Sequence, residues 1–374
     1  MPAGAFSRLR AAVAHLDPPL AVLDASALDA NASDLVRRAA GKPIRVATKS
    51  IRVRDVLRST LDREGYAGLL CYSLPEALWL HANGFDDLVL GYPTVNRQAI
   101  ATLAADEAAA ASVTLMVDDL SQLDLVDAIA APGRRAVVRL AIELDAAYRP
   151  ARGAAHLGAR RSPLHTPGDL ARFAAAIASR PGFRLVGVMA YEGQIAGVGN
   201  SGKGLRPRAV RVMQRASAAE LAERRSLAVS AVREIADLEF VNAGGTGSIE
   251  TTAAEDAVTE IAAGSGLLGP GLFDHYRAFQ PAHAAYFVLP VVRRPSRGIA
   301  TLAGGGWIAS GPVGPDRRPV IADPPGMSYL GQEGPGEVQT PVRGKAARRL
   351  AVGDTVWMRH AKAGELAEHV NSYH

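Results

Sequence analysis

The sequence predicts an α/β chain: a (β/α)8 TIM barrel followed by an all-β C-terminal domain. Apolar strand-like runs alternate with helical patterns in roughly eight units over about 240 residues, the arithmetic of a closed parallel barrel. After about residue 275 the pattern changes to short apolar or alternating runs cut by Gly and Pro, with no helical stretch between them. No G-x-G-x-x-G follows the first strand, which weighs against a doubly wound dinucleotide fold. The expected boundaries are residues 25–275 for the barrel and 276–374 for the β-rich domain, with 1–24 packing on the latter.

Taken in order, residues 1–16 carry a helical pattern that Pro18-Pro19 ends. Leu20-Ala21-Val22-Leu23 is a short apolar strand able to pair with either domain. Residues 24–31 read as a turn, and 31–40 have helical spacing at Leu35, Val36 and Ala39. Strand 44–48 precedes helix 53–64, and strand 68–72 precedes helix 75–83 with Glu76 in its first turn. Strands 87–90 and 113–117 are followed by helices 96–105 and 120–130. Strand 136–142 opens into residues 145–166, rich in Arg, Gly and Pro, which read as a long functional loop. Helix 167–179 leads to strand 185–189, and the Gly-rich loop 193–204 leads to an amphipathic helix over 207–234. Strand 239–242 runs into Gly244-Gly245-Thr246-Gly247, and strand 259–262 into Gly264-Ser265-Gly266. The tail shows runs at 286–292, 298–302, 307–309, 319–321, 336–339 and 355–358.

Composition narrows the function classes. The chain has 374 residues, 48% hydrophobic and 21% charged, enough for a sizeable core. The net charge of +5 comes from scattered pairs such as Arg134-Arg135 and Arg293-Arg294, a pattern that argues against nucleic acid as a partner. Cys71 is the single cysteine, which excludes an intrachain disulfide and a Cys-rich zinc site. No apolar run of about 20 residues suggests a membrane span, and no signal peptide is evident, so the expected location is the cytoplasm.

Two features carry chemistry. In Arg45-Val46-Ala47-Thr48-Lys49-Ser50, Lys49 falls at the carboxyl end of an early strand, where barrels place their reactive groups. A lysine becomes a nucleophile once it is deprotonated. The glycine turns at 244–247 and 264–266 end the last two strands, and such turns expose backbone N–H groups to a phosphate. An amine and a phosphate cup at strand ends together suggest pyridoxal phosphate held as an imine.

The chain resembles the fold-type III pyridoxal-phosphate enzymes, within them the D-threonine aldolase and D-serine dehydratase group that shares the alanine racemase barrel. The resemblance rests on Pro19–Asp24 with Asn31, Arg45–Lys49, Cys71–Ala77, Tyr191-Glu192-Gly193-Gln194, Asn242–Gly247 and the β-rich tail ending near His360. It implies that Lys49 forms the imine and that Gly245, Thr246, Gly247, Gly264 and Ser265 hold the phosphate. Tyr191 and Gln194 would lie near the cofactor. So would an arginine, Arg161 in preference to Arg160, displaced by an insertion after Asp145. It further implies a small amino acid substrate and a homodimer with shared active sites.

One departure concerns metal. Metal-dependent members carry His-x-Cys or His-x-Asp near the C-terminus, whereas this chain has His360-Ala361-Lys362, followed by Glu365. A protonated lysine cannot ligate a cation, so a divalent metal is left open, with His360 as its ligand if one binds. Otherwise His360 is expected to act as a catalytic base. The expected reaction is retro-aldol cleavage of a β-hydroxy D-amino acid to glycine and an aldehyde. A dehydratase or transaldolase is the alternative, and a noncatalytic cofactor carrier a more remote one.

Overall fold

A computed structural model describes residues 5–374, and the first four residues of the expected N-terminal helix lie outside them. The chain divides into two compact units. One comprises Leu35–Lys49 and Arg54–Gly264. The other comprises the residues up to Asp34, Ser50–Val53 and Ser265–His374.

Strand β1 (Leu20–Leu23) belongs to the second unit. The next eight are β2 (Ile44–Ala47), β3 (Tyr66–Cys71), β4 (Leu88–Leu90), β5 (Val113–Val117), β6 (Val138–Glu143), β7 (Phe183–Ala190), β8 (Phe240–Ala243) and β9 (Glu260–Ala263). They pair in parallel in chain order, and β9 pairs back onto β2, so the barrel is closed. Every residue of β4, β5, β8 and β9 is buried, as expected for parallel strands covered on both faces. Val89, Met116, Ala141, Val186, Met189 and Phe240 pack together as one buried cluster, and Gly187 leaves the space that the Phe240 ring fills.

The barrel also encloses an ion pair. Arg45 donates to both carboxylate oxygens of Glu260, at 2.6 and 2.8 Å, and to the carbonyl of Asp87 at 2.8 Å. Asn242 donates to Glu260 at 2.8 Å. A charge buried this deeply is tolerable only when its hydrogen bonds are met, and this one ties β2 to β9 just ahead of Lys49.

The sheet unit adds β10 (Ala285–Ser296), β11 (Ile299–Ala303), β12 (Val320–Asp323), β13 (Met327–Tyr329), β14 (Gln339–Gly344) and β15 (Thr355–Arg359). They run in the antiparallel order β12-β15-β10-β11-β14-β13, and β1 pairs with β10, Leu20 opposite Val288. Leu9, Val13, Leu20, Val22, Tyr286, Val288 and Trp357 form its buried cluster. Phe6 packs edge-on against Tyr286 and Trp357, with centroids 5.4 and 5.7 Å apart.

Two local expectations are corrected, and one strand is added. Residues 24–31 are not a turn, because helix Ala25–Ala39 begins there. Asp24 Oδ1 accepts the N–H groups of Ser26 and Ala27, so the polar cluster caps a helix instead of bending a loop. Residues 307–309 form no strand; Gly304 and Gly305 adopt positive φ just before them and break the extended path. The short strand β13 went unpredicted, since three residues of mixed polarity carry no period.

Candidate active site

Lys49 follows β2 within a single 3-10 turn, Thr48–Ser50. Glu76 holds that turn against the end of β3. Its Oε2 accepts Thr48 Oγ1 at 2.9 Å and the Tyr72 N–H at 3.0 Å. Ser73 caps the helix Leu74–Ala82 that carries Glu76, accepting the Glu76 N–H at 3.3 Å. The Lys49 amine donates to the Tyr92 hydroxyl at 2.6 Å. Tyr92 lies two residues beyond β4 and was missed in the sequence, because a residue after a glycine in a turn shows no period.

Tyr92 continues a row of contacts across the carboxyl ends of the strands. The Arg161 guanidinium lies 5.4 Å from the Tyr92 ring centroid and 5.0 Å from that of Tyr191, within cation–π range of both. Arg160 is exposed. Tyr191 follows β7, and burial raises the pKa of its phenol. A Cβ placed on Gly245 would stand 3.1 Å from Tyr191 Cε2 and 3.0 Å from the Ala196 methyl carbon, so only glycine lets the ring lie against that loop. Lys49, Tyr92, Arg161, Tyr191 and Gly245 are thus linked in sequence within the barrel unit.

Glu143, the last residue of β6, lies 3.7 Å from Arg161. Burial pushes its pKa up to about 7; Arg161 opposes the shift, and Asp118 and Asp145 add to it. A carboxyl that titrates near neutrality beside a cation in a barrel mouth is a mark of functional sites.

Arg161 reaches this position from the 145–166 excursion, which two side chains brace. Arg224 donates to the carbonyls of Asp145 (2.7 Å), His165 (3.1 Å) and Ala147 (3.2 Å), gripping both ends of the loop. Gln194, expected beside the cofactor, donates its amide nitrogen to the Ala146 carbonyl (2.7 Å) and Ser217 Oγ (2.9 Å). It supports the loop that presents Arg161.

The glycine loop after β8 is fastened by Glu192, the residue after Tyr191. Its carboxylate accepts Ser248 Oγ (2.9 Å), Thr252 Oγ1 (2.5 Å) and the Gly244 N–H (3.3 Å), and it pairs with the fully buried Arg225 at 3.0 Å. Arg38 donates to the Thr246 carbonyl at 2.7 Å. Gly264, after β9, answers to barrel closure: a Cβ there would stand 2.7 Å from the Ala47 carbonyl oxygen. Gly247 lies within the same turn after β8, and Ser265 directly follows Gly264 in the chain.

The profile of the family described as "Alanine racemase, N-terminal domain" matches residues 23–271. The chain belongs to that family. The matched span holds every strand of the barrel, so the alanine racemase N-terminal barrel is this chain's barrel. No curated protein sequence matches it. Among solved structures it is similar to a D-threonine aldolase from Filomicrobium marinum, with 20% identity, 96% of this chain and 91% of the other covered, and a TM-score of 0.80. A D-threo-3-hydroxyaspartate dehydratase from Delftia sp. HT23 has 20% identity, 94% and 92% covered, and a TM-score of 0.70. A histidine racemase from Leuconostoc mesenteroides subsp. sake NBRC 102480 has 16% identity, 94% and 92% covered, and a TM-score of 0.60. At such identities the likeness is one of fold.

Enzymes of the alanine racemase fold use pyridoxal phosphate, and the barrel residues fit it: an amine at one end of the row, a glycine-lined cradle at the other, and a guanidinium and a phenol between them. A divalent metal fits less well. No group of three or more His, Cys, Asp or Glu suited to a metal is found among the described residues. His360 belongs to the sheet unit and is buried there, and neither ring nitrogen finds a hydrogen-bond partner of good geometry among the described residues. Burial lowers its pKa to about 4, partly offset by the nearby backbone of Lys362 and Ala363. No helix among the described residues is long and apolar enough to cross a membrane.

Proposed function

We propose that the protein is a pyridoxal-phosphate-dependent lyase that cleaves a β-hydroxy D-amino acid, D-threonine-like, to glycine and an aldehyde. The row from Lys49 through Tyr92, Arg161 and Tyr191 to Gly245 carries the proposal. Lys49 would hold the cofactor covalently; Gly245, Thr246, Gly247, Gly264 and Ser265 would hold its phosphate; Arg161 and Tyr191 would line its ring. When bound, the cofactor draws electrons from the α-carbon of an attached amino acid. Tyr92 orients the Lys49 amine by accepting its hydrogen bond, and the Glu192 and Arg38 contacts keep the glycine loop rigid before any ligand arrives.

His360 was expected to take the β-hydroxyl proton, but a pKa near 4 makes a weak base at neutral pH. Glu143, near 7, is better matched to proton exchange in the barrel mouth. The likeness to a dehydratase fold keeps loss of water as the second reading. The working form in this proposal is a homodimer acting on a free amino acid.

The test begins with the visible spectrum of the purified protein, with and without added pyridoxal phosphate. An imine absorbance that Lys49→Ala abolishes is expected, and a protein that takes up no cofactor refutes the proposal. With D-threonine, glycine and an aldehyde mark the lyase, whereas ammonia and a keto acid mark the dehydratase. Sedimentation of the purified protein tests the dimer.

A further inference from the structure

The sheet unit holds a small, largely apolar pocket with a charged rim, lined by Phe287, Trp307, His360, Lys362, Glu365 and His369 among others. Its aromatic wall is well ordered by packing: Trp307 stacks on His369 with centroids 4.8 Å apart and planes 1° from parallel, and Phe287 lies 4.5 Å from Trp307. Ser310 organises the charged side. Its N–H donates to Glu365 at 2.9 Å, its hydroxyl donates to the other oxygen of the same carboxylate, and Lys362 Nζ donates to Ser310 Oγ at 2.9 Å. The ammonium is therefore held at the pocket through a serine bridge, and both oxygens of Glu365 already accept hydrogen bonds.

His360 is the unusual member. The residue is 5% exposed, and although the backbone of Lys362 and Ala363 lies close, neither ring nitrogen makes a hydrogen bond of good geometry among the described residues. A buried polar group without a partner costs roughly 1–3 kcal/mol, so such a group facing a pocket points to a ligand. A divalent cation would need a third donor, would compete with Ser310 for Glu365, and would stand beside an ammonium, so this donor set does not suit it. A carboxylate suits it well, since it accepts from both the ammonium and an imidazole N–H.

We propose that this pocket is a metal-free carboxylate site, in which Lys362 supplies the positive charge and His360 a hydrogen bond. All its lining residues belong to the sheet unit, and the test below reads a tryptophan line and not the chemistry of Lys49.

Fluorine-labelled tryptophan provides the test. The chain has three tryptophans, and Trp307→Phe assigns the resonance at the pocket. Acetate should shift the Trp307 line saturably in the full chain, and Lys362→Met should weaken that response roughly tenfold or more. The lines of Trp79 and Trp357 report that the variant is folded. Added Mn2+ should leave the Trp307 line sharp in the wild type and broaden it in Lys362→Asp, where a second anionic ligand replaces the ammonium. Broadening in the wild type, no acetate response there, an undiminished response in Lys362→Met, or a line that stays sharp in Lys362→Asp overturns the proposal.

Discussion

Glu143 has a carboxyl group whose side chain is 4% exposed, with Arg161 as its nearest cation. Its pKa in the folded state, about 7, lies above the value for a free glutamate, so the folded chain prefers it protonated. The stability tied to that preference is fully present below about pH 4.5 and is lost as pH rises through 7. Glu143→Gln should remove this dependence. Between pH 5 and pH 8 the wild type should lose up to about 3 kcal/mol relative to the variant, measured by urea unfolding at both pH values. Parallel pH profiles would show that Glu143 is not the group responsible. Nothing in the sequence set Glu143 apart from the other apolar-flanked residues of its strand. Lys49 was legible because it ends a strand whose alternation is visible, whereas Tyr92 follows a turn with no pattern and becomes evident only through its contact with Lys49.

At the scale of elements, the loops at the barrel mouth are held by buried charges from neighbouring helices and strand ends. Glu192 and Arg225 are both almost wholly buried, so Glu192→Gln leaves a guanidinium with only Glu255 opposite it. The expected loss is about 3 kcal/mol, together with faster release of pyridoxal phosphate, read by equilibrium unfolding and by cofactor dialysis. A variant as stable as the wild type would remove Glu192 from the role described above. Gly264→Ala should cost about 1–3 kcal/mol because the new methyl group meets the Ala47 backbone, which cannot rotate away. Its thermal midpoint tests this directly. The glycine turns themselves were readable from sequence; the Glu192 network beneath them was not, since Arg225 and Thr252 come from distant segments. Gln194 illustrates the same limit. Its place after Tyr191 suggests a cofactor contact, and only the folded position of Ala146 and Ser217 reveals the bonds its amide nitrogen makes.

For the molecule as a whole, the barrel was legible because eight strand–helix units repeat one period. The sheet unit was legible only as β-rich, since its strands are short and their order, β12-β15-β10-β11-β14-β13, is set by pairings distant in sequence. Its first strand and first helix come from the other end of the chain. A chain beginning at residue 25 would lack Leu9, Val13, Leu20 and Val22, which cover Tyr286 and Trp357. It would also expose one edge of β10. Such a chain should aggregate, with soluble yield in size-exclusion chromatography far below that of the full chain. Comparable yield of a monodisperse species would show that β1 is dispensable.

The pairing of β1 with β10 also orders events during synthesis. Every barrel strand has been translated by Ala263, yet Leu20–Leu23 has no partner until residues 285–288 follow. From its own synthesis until residues 285–288 have left the ribosome, this apolar strand must wait unpaired, which makes it a natural stretch for a nascent-chain chaperone to shield.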